Sequence, residues 1–383
     1  MRYHKLFKTE MMTLFSKDYA NLSILELRNF QITFLNAHFL QDFIPNELTL
    51  SHVNGTTLGV LIANLNDHAC GAIKSLDISG VNIFKFPPFF PEVGELGWLS
   101  NLSTLNISDT SLDSSALAIV VEKCPTLKHL DISDNPVEDI SCLLNLKDQL
   151  EGLVLHFNVM PEEAIYWEAI WTVLRLEKLQ KLDLSAFEKN GNYRLSNVET
   201  LLSSGTFPHL KHFDISGNPL GLTSAELQTF IANHRNLRFL GLAHWPERLK
   251  AYDLSLKYPN ITMSGDVGES MLIEAIRQYW RNRRSFDATL HNIYIQAESG
   301  HKFSADILDA ILDAAEEIRI TEPCTILYMA TMYVVLNNLN PDELSKNLLT
   351  RLMKFNLDAM FQNRESYLFM NILMNKFKAV SYF

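Results

Sequence analysis

Apolar residues along this chain follow two alternating periods. In short stretches they occupy every second position, as in TLKHLDISDNPV (126–137), where Leu130 and Ile132 flank Asp131 and precede Ser133. Successive side chains of an extended chain point to opposite faces, so this alternation predicts a short strand with one buried side. It returns at Leu76/Ile78, Leu105/Ile107, Leu153/Leu155, Leu182/Leu184, Phe213/Ile215 and Leu240/Leu242, and more weakly at Leu25/Leu27 and Leu48/Leu50. Between these stretches the period lengthens to that of a helix. Leu117, Val120, Val121 and Cys124 fall at i, i+3, i+4 and i+7, as do Trp167, Ile170, Trp171 and Leu174, and again Leu227, Phe230, Ile231 and His234. Thr223 and Glu226 form a capping box ahead of the last set. Each unit is predicted to be a strand followed by a helix.

The spacing within a unit is specific. Leu127, Leu130, Ile132 and Asn135 stand at offsets 0, 3, 5 and 8, the L-x-x-L-x-L-x-x-N core of a leucine-rich repeat. From Leu76 onward, successive copies start 23 to 31 residues apart. One such strand cannot bury its apolar side alone, so copies must stack, with parallel strands on a concave wall and helices on a convex one. Residues 1–20 read as a short mixed helix or frayed cap. Phe84–Gly97, which contains Pro87, Pro88 and Pro91, reads as an extended loop before Trp98, and Glu188–Ser196 as a polar loop. Asn260–Ser264 is the last strand-like copy. Beyond it helical patterns follow one another: Glu269–Trp280, Ser285–Ala297, Ser304–Ile318, Pro323–Asn338, Asp342–Met360 and Glu365–Val380, with breakers at Gly300, Pro323 and Pro341. Such stacked short helices resemble the start of an armadillo array. The expected fold is an α/β leucine-rich-repeat solenoid over residues 21–265 followed by an all-α armadillo-like helical domain over 266–383.

Composition narrows the function. The 383 residues are 47% hydrophobic and 20% charged, which predicts a chain folded along most of its length. A net charge of −11 argues against general affinity for nucleic acid or an anionic membrane. Cys70, Cys124, Cys142 and Cys324 show no C-x-x-C spacing, so neither a zinc site nor a disulfide framework is indicated; Cys124 reads as a buried thiol on a helix face. Charges at Lys8, Glu10, Lys17 and Asp18 make a poor signal peptide, and no cysteine-rich cap is visible, so a cytoplasmic location, also nuclear, is expected.

The order of motifs carries a family resemblance. LDISDNPVEDISCLLNLKDQLEGL passes into LQKLDLS and HFDISGNPL, then RNLRFLGLA, and finally helices with ILYMATMYVVLNNL. From about Asn21 to the C-terminus the chain resembles the zyg-eleven homologue and Zer family, leucine-rich-repeat plus armadillo substrate receptors of cullin-2 RING ubiquitin ligases. The resemblance implies a non-catalytic subunit that holds substrate proteins on its solenoid and joins elongin B, elongin C and cullin-2 through an N-terminal box. The family's [S/T]-L-x-x-x-C box is not legible here, since no cysteine precedes Cys70, and only about two armadillo-like units follow the repeats. The alternative is a scaffold or regulator that uses the same solenoid without a ligase.

Candidate chemistry points the same way. H-E-x-x-H, G-x-S-x-G, P-loop and G-x-G-x-x-G motifs are absent, and no cofactor is indicated. The histidines lack metal-ligand spacing; His129 and His212 simply share a repeat position. Partner binding is expected on the concave face, at an acidic column of Asp77, Asp131, Asp183 and Asp214 flanked by His129, Lys181 and His212, with Phe239 and Trp245 as aromatic anchors at the far end. The competing reading makes LDIS repeat grammar, with Asp and Ser bonding across neighbouring strands. Asn106, Val154, His156 and Gly241 interrupt the columns. Arg277, Arg281, Arg283 and Arg284 form a basic cluster, and Leu368, Phe369, Ile372, Leu373, Phe377 and Val380 an apolar stripe that folds back or mediates self-association.

Overall fold

The computed structural model describes residues 2–4, 22–28, 31–32, 37–83, 92–156, 163–186, 202, 207–218, 223–245, 248–280, 282–318, 322–360 and 375. They fall into two compact units. The first comprises Met1–Ala186, Asn192–Asp214 and Leu220–Leu237; the second comprises Phe187–Gly191, Ile215–Pro219 and Arg238–Phe383.

The first unit contains parallel strands β1 (Arg2–His4), β2 (Ile24–Arg28), β3 (Glu47–Thr49), β4 (Ser75–Asp77), β5 (Thr104–Asn106), β6 (His129–Asp131), β7 (Gly152–Val154), β8 (Lys181–Asp183) and β9 (His212–Asp214). Each pairs with the next in sequence. The register places Leu25, Leu48, Leu76, Leu105, Leu130, Leu153, Leu182 and Phe213 in one row, each no more than 4% exposed. Burying each such side chain contributes roughly 1.5–3 kcal/mol, so the row is the axis of the core. Two residues beyond the second apolar strand position the chain turns with positive φ, at His52 (52°), Gly80 (70°), Asp109 (54°) and Asp134 (58°). The left-handed region admits Gly, Asp, Asn and His more readily than other residues, which accounts for the DN and GN that follow LDIS.

Behind the strands stand helices α1 (Leu58–Ala63), α2 (Asp67–Ala72), α3 (Ser114–Lys123), α4 (Glu163–Leu174) and α5 (Ser224–Asn233). The capping box of α5 is formed as the sequence predicts: Thr223 Oγ1 accepts from Glu226 N at 3.3 Å and the Glu226 carboxylate accepts from Thr223 N at 2.6 Å. Cys124 ends α3 at 2% exposure, and burial pushes its thiol up to about 12. Asp113 caps α3 by accepting from Ala116 N at 2.7 Å. Asp113→Ala is expected to cost about 1 kcal/mol in chemical denaturation; an unchanged midpoint would show that packing alone holds this helix.

Four expectations are corrected. Residues 2–4 are a strand on β2, not part of a helix or frayed cap, because backbone pairing to an existing edge needs no helical pattern; residues 5–21 lie outside the described residues. Of Phe84–Gly97, residues 84–91 lie outside the described residues, and Glu92–Trp98 is a 3₁₀ helix that buries Val93 and Leu96. The prolines precede this turn, and i→i+3 bonding fits a short proline-free segment. Related 3₁₀ turns at Ala37–Asp42 and Ser141–Leu146 replace α-helices in other repeats. Among the described side chains of α4, Ala169, Ile170, Thr172 and Val173 are buried, while Trp171 is 57% exposed. Glu188–Ser196 lies outside the described residues.

The second unit holds β10 (Phe239–Gly241) and β11 (Thr262–Ser264), parallel to each other, with α6 (Arg248–Lys257) between them in sequence. Helices α7 (Glu269–Tyr279), α8 (Arg283–Glu298), α9 (Ala305–Ile318), α10 (Glu322–Asn338) and α11 (Lys346–Met360) follow. Leu272, Ile276, Phe286, Ile311, Tyr328 and Leu352 belong to one buried cluster. Tyr279 Oη lies 2.7 Å from Ser216 Oγ and 2.8 Å from Ser264 Oγ, tying α7 to the strands of this unit. Arg351 joins α11 to α9 through Asp309 (2.6 Å), Asp313 (2.5 Å) and Glu316 (2.9 Å). Among the described residues no helix is long and apolar enough to cross a membrane.

Candidate partner-binding face

Strand residues that do not enter the core of the first unit stand in three rows. The middle row, in register across β4–β9, reads Asp77, Asn106, Asp131, Val154, Asp183 and Asp214. The row before it reads Ser75, Thr104, His129, Gly152, Lys181 and His212. Two residues past the middle row stand Ser79, Ser108, Ser133, His156 and Ser185.

The Asp–Ser grammar has a local cause. Asp77 Oδ1 accepts from Ser79 N at 3.0 Å and from Ser79 Oγ at 2.7 Å, and Asp183 Oδ1 makes the same two bonds to Ser185. Asn106 Oδ1 does the same for Ser108, and Asp131 Oδ1 accepts from Ser133 N at 3.0 Å. Cross-strand bonding of the expected kind is present as well, with Ser133 Oγ accepting from His156 N of the next repeat, but these Asp–Ser bonds run two residues along one strand. They satisfy the last backbone N–H before the turn.

Strand β7 breaks the grammar at all three rows, with Gly152, Val154 and His156 in place of polar, Asp and Ser. The break is compensated. A Cβ on Gly152 would run into the His129 ring, so the bare position leaves room for that side chain. His156 donates its N–H to Ser133 Oγ at 3.2 Å and sets Nε2 3.4 Å from Asp183 Oδ1. Burial opposes a charge on His156, but Asp183, with Asp131 and Asp134, outweighs it and raises the imidazole to about 9. Burial likewise works against the Asp183 carboxylate, yet His156 and the Ser185 bonds hold it well below the usual carboxylate range. Asp131 is pushed up, chiefly by burial. His156 is therefore a cation set between two acidic strands where Val154 carries no charge.

His212 behaves in the opposite way. Burial first, and the Lys181 ammonium across from it in register second, lower it to about 4, so it is neutral at pH 7. Its ring nitrogens and the carboxylates of Asp183 and the buried Asp214 offer ligand atoms that all lie within 4.8 Å of one another, a grouping among the described residues that could hold a metal ion. Linear spacing could not reveal it, because adjacent strands bring together residues of different repeats.

Asp77, Asp131, His129, Lys181, Asp183, His212 and Asp214 thus share one strand face in the first unit, with Asp214 only 1% exposed. The aromatic anchors are not there. Phe239 is 6% and Trp245 3% exposed, so both are removed as accessible anchors. Trp245 stands at offset 8 from Leu237, the slot that Asn135 fills in its own repeat, and that slot points inward. Phe239 holds the position in its own repeat sequence that His212 holds in its repeat, but all three residues of β10 are covered. Arg277 is exposed and 4.0 Å from Glu274; Arg281 and the side chains of Arg283 and Arg284 lie outside the described residues, as does the stripe Leu368–Val380.

A family model described as Zer-1-like, leucine-rich repeats, matches residues 118–250. Among solved structures the chain is similar to the internalin InlF of Listeria monocytogenes str. 4b F2365, at 16% identity over 68% of this chain and 73% of that one, with a TM-score of 0.39. It is similar to internalin C2 of the same strain at 21% identity over 60% and 84%, TM-score 0.38. The ectodomain of the Arabidopsis receptor kinase HAESA, in complex with an N-terminally extended IDA peptide hormone, is 18% identical over 62% and 36%, TM-score 0.32.

Proposed function

We propose that this leucine-rich-repeat protein is a non-catalytic recognition subunit of the Zer type, which holds protein substrates on the strand face of residues 21–265 and presents them to an elongin B–elongin C–cullin-2 ubiquitin ligase. The match of residues 118–250 to Zer-1-like repeats carries this reading. It is supported by the LDIS grammar and by the helices that follow β11, which we take as an armadillo-like domain over 266–383. The strand face suits protein recognition, since it offers fixed carboxylates, one half-buried cation and two further histidines on a rigid sheet.

The test is a pull-down of the full chain with purified elongin B–elongin C and cullin-2. Stable co-elution is the expected result. No binding, alongside a full-length relative that does bind, would remove the ligase role and leave a partner-binding scaffold.

A further inference from the structure

We propose that Asp183, His212 and Asp214 form a binding site for a divalent transition-metal ion on the strand face between β8 and β9. Three observations converge. The ligand atoms of the three side chains lie within 4.8 Å of one another. They come from adjacent, hydrogen-bonded strands, with Asp183 directly in register with Asp214, so backbone pairing fixes their spacing. The site is also largely shielded from water, with Asp214 only 1% exposed and the Asp183 side chain 13% exposed.

The first carboxylate is also already oriented. Ser185 N, Ser185 Oγ and His156 Nε2 all engage Asp183 Oδ1, at 3.0, 2.7 and 3.4 Å, which leaves Oδ2 without a partner among the described residues. Outer contacts of this kind set the direction of a ligating oxygen. The Lys181 ammonium opposes an added cation, but it sits on a flexible stem and partly faces solvent. One imidazole and two carboxylates match Zn²⁺ or Mn²⁺, and three protein ligands leave a coordination position for a water or a partner's donor. Asp77 is the internal control: it carries the same Asp–Ser bonds but belongs to no such group among the described residues.

The experiment is calorimetric titration of the chelator-treated, tag-free full chain with MnCl₂ and, separately, ZnCl₂, with MgCl₂ as comparison. Mn²⁺ disfavours thiolate ligands, which keeps the cysteines out of the measurement. One saturable site per chain for both transition metals, weaker by at least about tenfold in His212→Gln, is the expected result. Asp183→Asn is the second variant, read together with far-UV circular dichroism, because it also releases His156. His212→Gln leaves that pair intact and keeps the test valid should Asp183→Asn unfold. Absence of saturable Mn²⁺ and Zn²⁺ binding overturns the site, and so does His212→Gln binding as tightly as the parent chain. Neither outcome bears on the ligase pull-down, which probes a different contact.

Discussion

Asn135→Ala is expected to destabilise the first unit by about 3–5 kcal/mol, more than any other polar substitution considered for this chain. Asn135 is 8% exposed and serves five backbone groups. Its Oδ1 accepts from Thr110 N at 3.0 Å and Leu112 N at 2.9 Å, and its Nδ2 donates to the carbonyls of Ile107, Ile132 and Ser133 at 2.9, 3.1 and 3.0 Å. It therefore stitches the turn after β6 to the turn after β5. Alanine removes every partner at once, in a place where water cannot replace them all. Urea denaturation followed by circular dichroism should show the loss as a lower midpoint. Because stacked repeats interact mainly with their neighbours, hydrogen exchange should accelerate first at Thr110 and Leu112. Asn135→Asp should be nearly as damaging, since an acceptor would then face three carbonyls. A loss below about 1 kcal/mol in both variants would mean that the turns are held by the leucine row alone.

That position was legible in the sequence because its chemistry is strictly local: an amide at offset 8 meets the same backbone groups wherever the repeat occurs. The leucine row, α3 and the capping box of α5 were legible for the same reason, each being encoded within about ten residues. What escaped depends on neighbouring strands. Trp245 reads as an exposed anchor from its chemistry and as a buried residue from its offset, and the offset decides. Trp171 fits a helical stripe with Trp167, yet among the described side chains of α4 the buried ones are Ala169, Ile170, Thr172 and Val173, and Trp171 is exposed. The turn at Glu92–Trp98 could not be told from a loop, because a 3₁₀ segment of seven residues leaves too little periodicity to detect. The candidate site was half legible. Its acidic row follows from the grammar, but the charge on His156 comes from its cross-strand neighbour Asp183, and the lowering of His212 from burial first and the cross-strand Lys181 second. The visible signal was the break itself: Val154 removes an acid and His156 supplies a base two residues later.

His156→Gln turns that signal into a measurable pH dependence. In the folded chain His156 is held to about 9, against about 6.5 for an unperturbed imidazole. Below pH 6.5 both folded and unfolded states carry the proton, so the attraction to Asp183 contributes fully. Between pH 6.5 and 9 the unfolded chain releases a proton that the folded chain keeps, and the contribution falls; above pH 9 it is gone. Glutamine has nearly the same reach but no charge. The stability difference between parent and variant should therefore be largest near pH 6, at about 2 kcal/mol, and should vanish by about pH 9–10. The figure is kept modest because the side chain retains 18% of its surface in solvent. His212 runs the other way, since its folded value near 4 removes stability as pH falls from 6.5 towards 4. That term is common to parent and variant, so the difference curve isolates His156. Denaturation midpoints taken at half-unit steps from pH 5.5 to 9.5 give the curve. A difference that stays flat across this range would mean that His156 is not charged by Asp183, and that the acidic strands on either side of β7 are balanced by some other group.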